Sequence, residues 1–328
     1  MAKRVTTAGL EPVQVAVGER ILLTGASGQV GGEVARLLAP VAEVIAPSRA
    51  ELDLSDEAAV RALVRRVRPR WIVNPAAYTA VDRAESEPEL AYAINAAAVR
   101  ALGEEASAIG AAVVHFSTDY VFDGAGTSPY TETDPARPSG VYGASKLAGE
   151  QELARSGAAH VILRTSWVYG ATGKNFLLTI LKAARERDRL RVVADQHGAP
   201  TWSRDLARLT AHLIGRCERR CEGRCELHVG ATGAGELAEE VARVGGLYHT
   251  AGAGETTWYG FAAEAIRQQR QSEPGTAFAE IDPITTAEYP TPARRPQNSR
   301  LDCRKLATTF DWTMMRWEDS LRAVLAEL

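Results

Sequence analysis

Three glycines, Gly25, Gly28 and Gly31, follow directly on the apolar run Ile21-Leu22-Leu23-Thr24 and lead into the helix-like pattern of Val34, Leu37 and Leu38. A strand that turns through glycine into a helix is the local pattern of a phosphate-binding turn. Gly25 suits the tight turn, Gly28 lets backbone approach a pyrophosphate, and Gly31 lets the helix lie close on the sheet. Free N–H groups at the helix start then meet the anion without a charged side chain. With 28 glycines in the chain an ordinary glycine-rich turn competes with this reading, and the flanking strand and helix decide for the dinucleotide.

The 328 residues suffice for two domains, or for one large α/β unit with a lobe. A formal charge of -3, from 38 basic and 41 acidic residues, gives no reason to expect a nucleic-acid or anionic-membrane partner. The longest apolar runs have strand length, and Met1 to Gly18 lacks a hydrophobic signal core, so a cytoplasmic protein is expected. Four cysteines, three of them at 217, 221 and 225, make no disulfide framework.

The pattern predicts a Rossmann-type doubly wound parallel sheet with a smaller C-terminal substrate-binding lobe. Residues 1–19 read as an extension with a short alternating strand at Val13–Val17, and residues 20–166 as the nucleotide domain. Residues 167–328 read mainly as the lobe, with about 190–214 and 246–270 partly returning to the sheet and 215–245 as an insertion. Strands are expected at Val41–Ala46, Trp71–Asn74, Ala112–Ser117 and His160–Arg164. A long helical stretch is expected from about Glu89 to Ile109, with Asn95 tying strand loops together, and Asp205 should cap a helix over Leu206–Ile214. The second strand ends in Pro47-Ser48-Arg49 without the carboxylate that often meets an adenosine ribose. Arg49 therefore reads either as the partner of a 2′-phosphate, favouring NADPH or tolerance of both cofactors, or as a solvated loop arginine. Asp53, beside Leu54, would sit near the adenine.

Tyr142 and Lys146 stand four apart in a helical region and share one face. A tyrosine ionises at about 10, and a neighbouring ammonium lowers that value, which would suit the phenol to acid-base work. Thr118, at the end of the fourth strand, would donate or relay a hydrogen bond to a carbonyl oxygen, with Asp119 beside it. Three groups around one oxygen polarise a ketone for hydride attack while Tyr142 protonates the forming alkoxide.

The segments Thr24–Gly31, Asn74–Asp82, Ser117–Gly124, Tyr142–Glu150, Arg164–Gly170, Asp195–Thr201, Thr256–Gly260 and Tyr289–Arg300 together resemble the dTDP-4-dehydrorhamnose reductases, which are extended short-chain dehydrogenases. The resemblance covers nearly all of residues 20–325. It implies reduction of the 4-keto group of dTDP-4-dehydro-6-deoxy-L-mannose to dTDP-L-rhamnose with NADPH or NADH. The family's Thr, Tyr and Lys map onto Thr118, Tyr142 and Lys146. Its cofactor loop maps onto Gly25 to Gly31, including Ser27, Gln29 and Val30, and onto Asp53, Leu54, Ala76, Ala77 and Tyr78. Trp167 stands where the family packs an aromatic against the sugar, with a core or lid tryptophan as the alternative. Arg294 and Arg295 are candidate partners for the substrate diphosphate, with no choice between them. Some members bind magnesium at a dimer contact through glutamates, and Glu33 occupies a fitting position, so Mg2+ and a homodimer are further expectations. A relative acting on another nucleotide-linked 4-keto sugar, or a non-catalytic regulatory subunit like that of methionine adenosyltransferase, would share much of this pattern.

Two stretches depart from the family pattern: the head at residues 1–19, and the stretch between Ile214 and Gly246. Cys217, Cys221 and Cys225 there read as reduced thiols in a solvated insertion, with a zinc site completed by His228 as the alternative.

Overall fold

The computed structural model describes residues 19–225 and 234–328. The expected strand at Val13–Val17 and His228 lie outside the described residues. Five strands follow the predicted order: β1 (Arg20–Leu23), β2 (Glu43–Ile45), β3 (Trp71–Asn74), β4 (Ala112–Thr118) and β5 (Ala159–Thr165). Helices α1 (Gln29–Leu38), α2 (Glu57–Val67), α3 (Ala98–Ile109) and α4 (Val141–Arg155) separate them. The lobe contributes α5 (Phe176–Glu186), β6 (Arg189–Val193), α6 (Ser203–Cys225), α7 (Ala234–Val244), β7 (Gly246–His249), α8 (Trp258–Ser272), β8 (Glu280–Ile284) and α9 (Trp317–Leu325).

The main sheet runs β7-β5-β4-β3-β1-β2 and is parallel throughout. Successive strand residues point to opposite faces, so Ile21 and Leu23 join one core with α1, α6 and α7, while Leu22 joins the other with α2 and α3. The chain leaves β1 through α1 to β2 on one side, then returns through α2 to β3 on the other. That reversal is the switch point at which open α/β sheets bind ligands.

Beyond residue 167 the chain crosses between two cores. α6 and α7 pack on the sheet and β7 extends it, whereas β6 and α8 pack into a separate lobe core with Tyr169, Trp202 and Trp317. The return to the sheet thus falls mainly on Ser203–Cys221 and Leu237–His249. The expected solvated insertion does not begin at residue 215. Leu206, Leu209, Leu213, Cys217 and Cys221 continue one helical stripe, and both thiols are buried. On the same helix Glu218 accepts hydrogen bonds from Arg70 Nε at 2.8 Å, Arg70 Nη2 at 2.9 Å and Trp71 Nε1 at 2.7 Å, which anchors it to β3. Asp205 caps no helix, since α6 starts at Ser203, and its carboxylate accepts from Met315 N instead.

The expected helical stretch from 89 to 109 is present, with one widened turn in its course. Pro88–Tyr92 is α-helical, Ala93–Ala97 is a wide π-turn, and α3 follows. Such a turn carries one extra residue and reaims the side chains on it.

Candidate active site

The carboxyl ends of β1, β3 and β4 open into one cleft of about 1250 Å³. Gly25, Ser27, Gly28, Gln29, Val30 and Gly31 form one wall. Gly25 holds φ at 63°, and a Cβ on Gly31 would stand 2.1 Å from the Gly25 carbonyl oxygen, so α1 rests directly on the turn. Ser27 and Gly28 are exposed where α1 begins. A dinucleotide fits this cradle: bare backbone at a helix N-terminus faces a cleft with no side chain in the way. Arg49, Asp53 and Leu54 border the cleft after β2. Arg49 and Asp53 are exposed, and hydrogen bonds from Ser55 hold the Asp53 carboxyl below its usual range.

Ala76, Ala77 and Tyr78 line the cleft after β3, and Asn95 fixes that loop. Its Oδ1 accepts from Tyr78 N at 2.8 Å, while its Nδ2 donates to Tyr78 O at 3.1 Å and to Ser145 Oγ at 3.0 Å. The π-turn thus aims one buried amide at both the loop after β3 and α4, in the tying role expected of it.

Tyr142 and Lys146 on α4 face the same cleft. A Cβ on Gly143 would lie 2.1 Å from Tyr120 O, so glycine lets α4 close onto the residues after β4. Further along α4, buried Glu150 grips Arg164 of β5 at 2.8 and 2.6 Å and accepts from Ser117 Oγ of β4 at 2.5 Å. These contacts hold the tyrosine beside Thr118.

Thr118 and Asp119 are buried and lie outside the cleft lining. Thr118 Oγ1 donates to Asp119 Oδ1 at 3.1 Å and accepts from Tyr120 N at 3.2 Å. Among the described residues Asp119 Oδ2 has no hydrogen-bond partner, and burial pushes the carboxyl up to about 6 against the hydrogen bonds from Ser299 and Thr118. The expectation that Lys146 would pull Tyr142 toward ionisation is not met. Burial raises the phenol well above an ordinary tyrosine, the Thr118 hydrogen bond works against that rise, and Asp119 and Tyr120 add to it. Lys146 is turned away: its Nζ donates to Phe116 O at 2.6 Å and lies 3.3 Å from His115 Nε2. Burial brings the ammonium down to about 8, with Glu150 opposing.

His115, with Thr24 and Asn74, is a group that sequence reasoning missed. Thr24 Oγ1 donates to Asn74 Oδ1 at 2.5 Å, Asn74 Nδ2 lies 3.0 Å from His115 Nδ1, and the ring reaches Lys146. All four side chains are buried, and burial first, then the Lys146 charge, keeps the imidazole neutral. The available signal was a polar residue at the same depth in three neighbouring apolar strands.

On the lobe side, Trp167 adopts a left-handed φ of 48° and stacks on Trp258 with centroids 3.7 Å apart. Non-glycine residues seldom hold that conformation outside a functional or tightly constrained site. Arg295 donates to Asp82 at 2.8 Å and lies near Tyr120, whose ring meets Tyr142 edge-on at 5.5 Å. Arg294 is exposed. Gln29 accepts from Asn175 Nδ2 at 3.1 Å, joining the glycine turn to the start of α5.

The model of the RmlD substrate binding domain matches residues 19–328. The chain is 44% identical to the dTDP-4-dehydrorhamnose reductase of Salmonella typhimurium, across 94% of this chain and 97% of that one. The chain belongs to the dTDP-4-dehydrorhamnose reductase family. A Burkholderia thailandensis reductase is 43% identical over 94% of this chain and 99% of its own. Among solved structures, a dTDP-4-dehydrorhamnose reductase from Bacillus anthracis in complex with NADP superposes with a TM-score of 0.81, at 32% identity, covering 95% of this chain and all of that one (100%). The Clostridium acetobutylicum reductase gives 0.79 at 34% identity, with coverage of 94% and 99%.

Metal ligation finds little support in this member of the reductase family. Among the described residues no three His, Cys, Asp or Glu side chains cluster as a metal site. Cys217 is sealed in the core, where burial pushes its thiol up to about 12. Glu33 is held by Arg36 and Arg204. No helix among the described residues is long and apolar enough to cross a membrane.

Proposed function

We infer that the chain reduces the 4-keto group of dTDP-4-dehydro-6-deoxy-L-mannose to dTDP-L-rhamnose, with NADPH as the favoured cofactor and NADH as the alternative. The observation that carries this reading is the single cleft in which a bare phosphate turn and the Tyr142–Lys146 face meet. The identity to named reductases along both the sheet and the lobe supports the substrate. The turn from Gly25 to Gly31 would hold the pyrophosphate, Ala76 to Tyr78 with Lys146 the nicotinamide side, and Arg49 a 2′-phosphate.

A bound reduced nicotinamide supplies the hydride. Tyr142, kept neutral by burial, is in the protonation state needed to give its phenolic proton to the ketone oxygen. The carbon gains a hydride and the oxygen a proton, so the ketone becomes a secondary alcohol. Thr118 steadies the phenol and, by its hydrogen bond, favours the phenolate left behind, while Lys146 holds the end of β4 through Phe116 O. Trp167 would offer an indole face to the sugar, and Arg295, linked through Tyr120 to the catalytic tyrosine, is favoured over Arg294 for the diphosphate. A reaction that consumes reduced nicotinamide and a nucleotide-activated sugar belongs in the cytoplasm.

The test supplies enzymatically generated dTDP-4-keto sugar, follows loss of reduced nicotinamide and identifies the product. Stoichiometric conversion to dTDP-L-rhamnose is expected. Tight cofactor binding with no turnover would overturn the catalytic reading in favour of a regulatory subunit. Turnover only with another nucleotide sugar would correct the substrate.

A further inference from the structure

Away from the cleft lining, two carboxylates close on one guanidinium. Glu33 on α1 accepts from Arg204 Nε at 3.0 Å and from Arg204 Nη2 at 3.1 Å. The other edge of Arg204 reaches Glu327, with Nη2 donating to Oε2 at 2.8 Å and Nη1 to Oε1. Arg36 donates to Glu33 at 2.8 Å, and the Arg204 guanidinium lies 4.9 Å over the Trp202 ring. None of the three central side chains is more than 29% exposed. Burial works to raise the Glu33 carboxyl, but the hydrogen bonds from Arg204 and Arg36 prevail and hold it below its usual range.

Glu33 was the residue that the family resemblance offered to magnesium. A Mg2+ ion needs a near-octahedral oxygen shell at about 2.0–2.1 Å and keeps several waters. Arg204 and Arg36 already take the Glu33 oxygens, and a fixed positive charge lies between the two carboxylates. The guanidinium matches them edge to edge, as its planar fork allows. The knot also has a structural reach. Glu327 lies just beyond α9, which packs in the lobe core, while α1 begins at the glycine turn. One arginine therefore staples the end of the lobe to the helix on which the cofactor cradle is built.

We propose that Arg204 serves as a built-in replacement for a divalent cation, closing the Glu33–Glu327 carboxylate pair within a single chain and making this seat indifferent to Mg2+. The arginine need not be loaded, and chelation cannot remove it. The seat keeps the acidic groups of a cation site, so exchanging the arginine for a third carboxylate converts it into one that a metal must fill.

The experiment uses the full chain and reads thermal unfolding and titration calorimetry, in millimolar MgCl2 and in EDTA at matched ionic strength. The parent protein is expected to show the same midpoint in both and no calorimetric binding. Arg204→Glu is expected to unfold roughly 2–4 °C lower in EDTA and to regain that loss in Mg2+. The added change Glu33→Gln should abolish the recovery. Stoichiometric Mg2+ binding by the parent, lost in Glu33→Gln, would overturn the proposal. So would a folded Arg204→Glu protein that ignores Mg2+. If Arg204→Glu does not fold, the parent titration and Arg204→Gln decide: destabilisation of the latter with no metal response in the parent supports the staple, and unchanged stability rejects it. None of these readouts depends on the substrate.

Discussion

At the glycine turn, Ser27 and Gly28 present exposed backbone to an open cleft, whereas beyond Tyr142 the polar and aromatic groups meet one another. Trp167 stacks on Trp258, Arg295 binds Asp82, and Thr118 donates a hydrogen bond to Asp119. The first region is ready for a ligand that brings its own charge and shape. The second pairs most of its groups within the chain and leaves Asp119 Oδ2 unpaired among the described residues. A site built from backbone can stand open without penalty, because water serves its N–H groups, while buried carboxylates and rings need partners in the meantime.

Four substitutions sharpen or break this contrast. Tyr142→Phe should lower turnover by about 10²–10⁴-fold while cofactor affinity stays within about twofold, read by steady-state kinetics and fluorescence titration. Comparable losses in both would show that the two regions are not separable at this residue. Asp119→Asn probes the strain of the closed side. The folded chain keeps the Asp119 proton up to about 6, against 3.8 for an ordinary aspartate, so it binds that proton more tightly than the unfolded chain does. The carboxyl therefore subtracts stability as pH rises through this window and remains a burden above it. The substitution should raise the unfolding free energy at alkaline pH by on the order of 2–3 kcal/mol, and change it little at a pH well below that of free aspartate. A denaturant series at the two extremes checks the sign, and equal effects at both would refute the assignment.

Trp167→Ala removes one ring of the stacked pair and should raise the substrate KM by roughly tenfold with an unchanged cofactor dissociation constant. If cofactor binding weakens instead, the indole belongs to the open side. Arg49→Ala should have the smallest effect, a loss of about three- to tenfold in preference for NADPH over NADH, because its charge is well exposed. A parent with no preference would remove the 2′-phosphate role.

The same contrast marks what the sequence could convey. Strands β1, β3, β4 and β5 and the glycine turn are local patterns, and each was readable within a few residues. The glycines of the turn and the small residues after β3 followed from them because the topology brings strand ends to one edge, while Ser27, Gln29, Val30 and Leu54 came from the family resemblance. Arg204, Glu33 and Glu327 were not readable as a set, since separations of 123 and 171 residues leave no local trace. The buried His115 was hidden because it sits between Val114 and Phe116 in a strand that reads as apolar. Cys217 and Cys221 were misread for the opposite reason. Surrounding arginines and glutamates suggested solvent, while the helical spacing from Leu206 onward already pointed inward. The lowered phenol pKa failed because charge proximity was weighed without burial, which dominates at Tyr142.

The widened turn at Ala93–Ala97 has a consequence for how such a chain changes over time. Deleting one alanine there would heal the helix into regular α geometry and rotate Asn95 by about 100°, away from Tyr78 and Ser145. Circular dichroism would record as much helix as before, yet the loop against the nucleotide would lose its tether. A mutation that improves local regularity would thus cost Asn95 its aim.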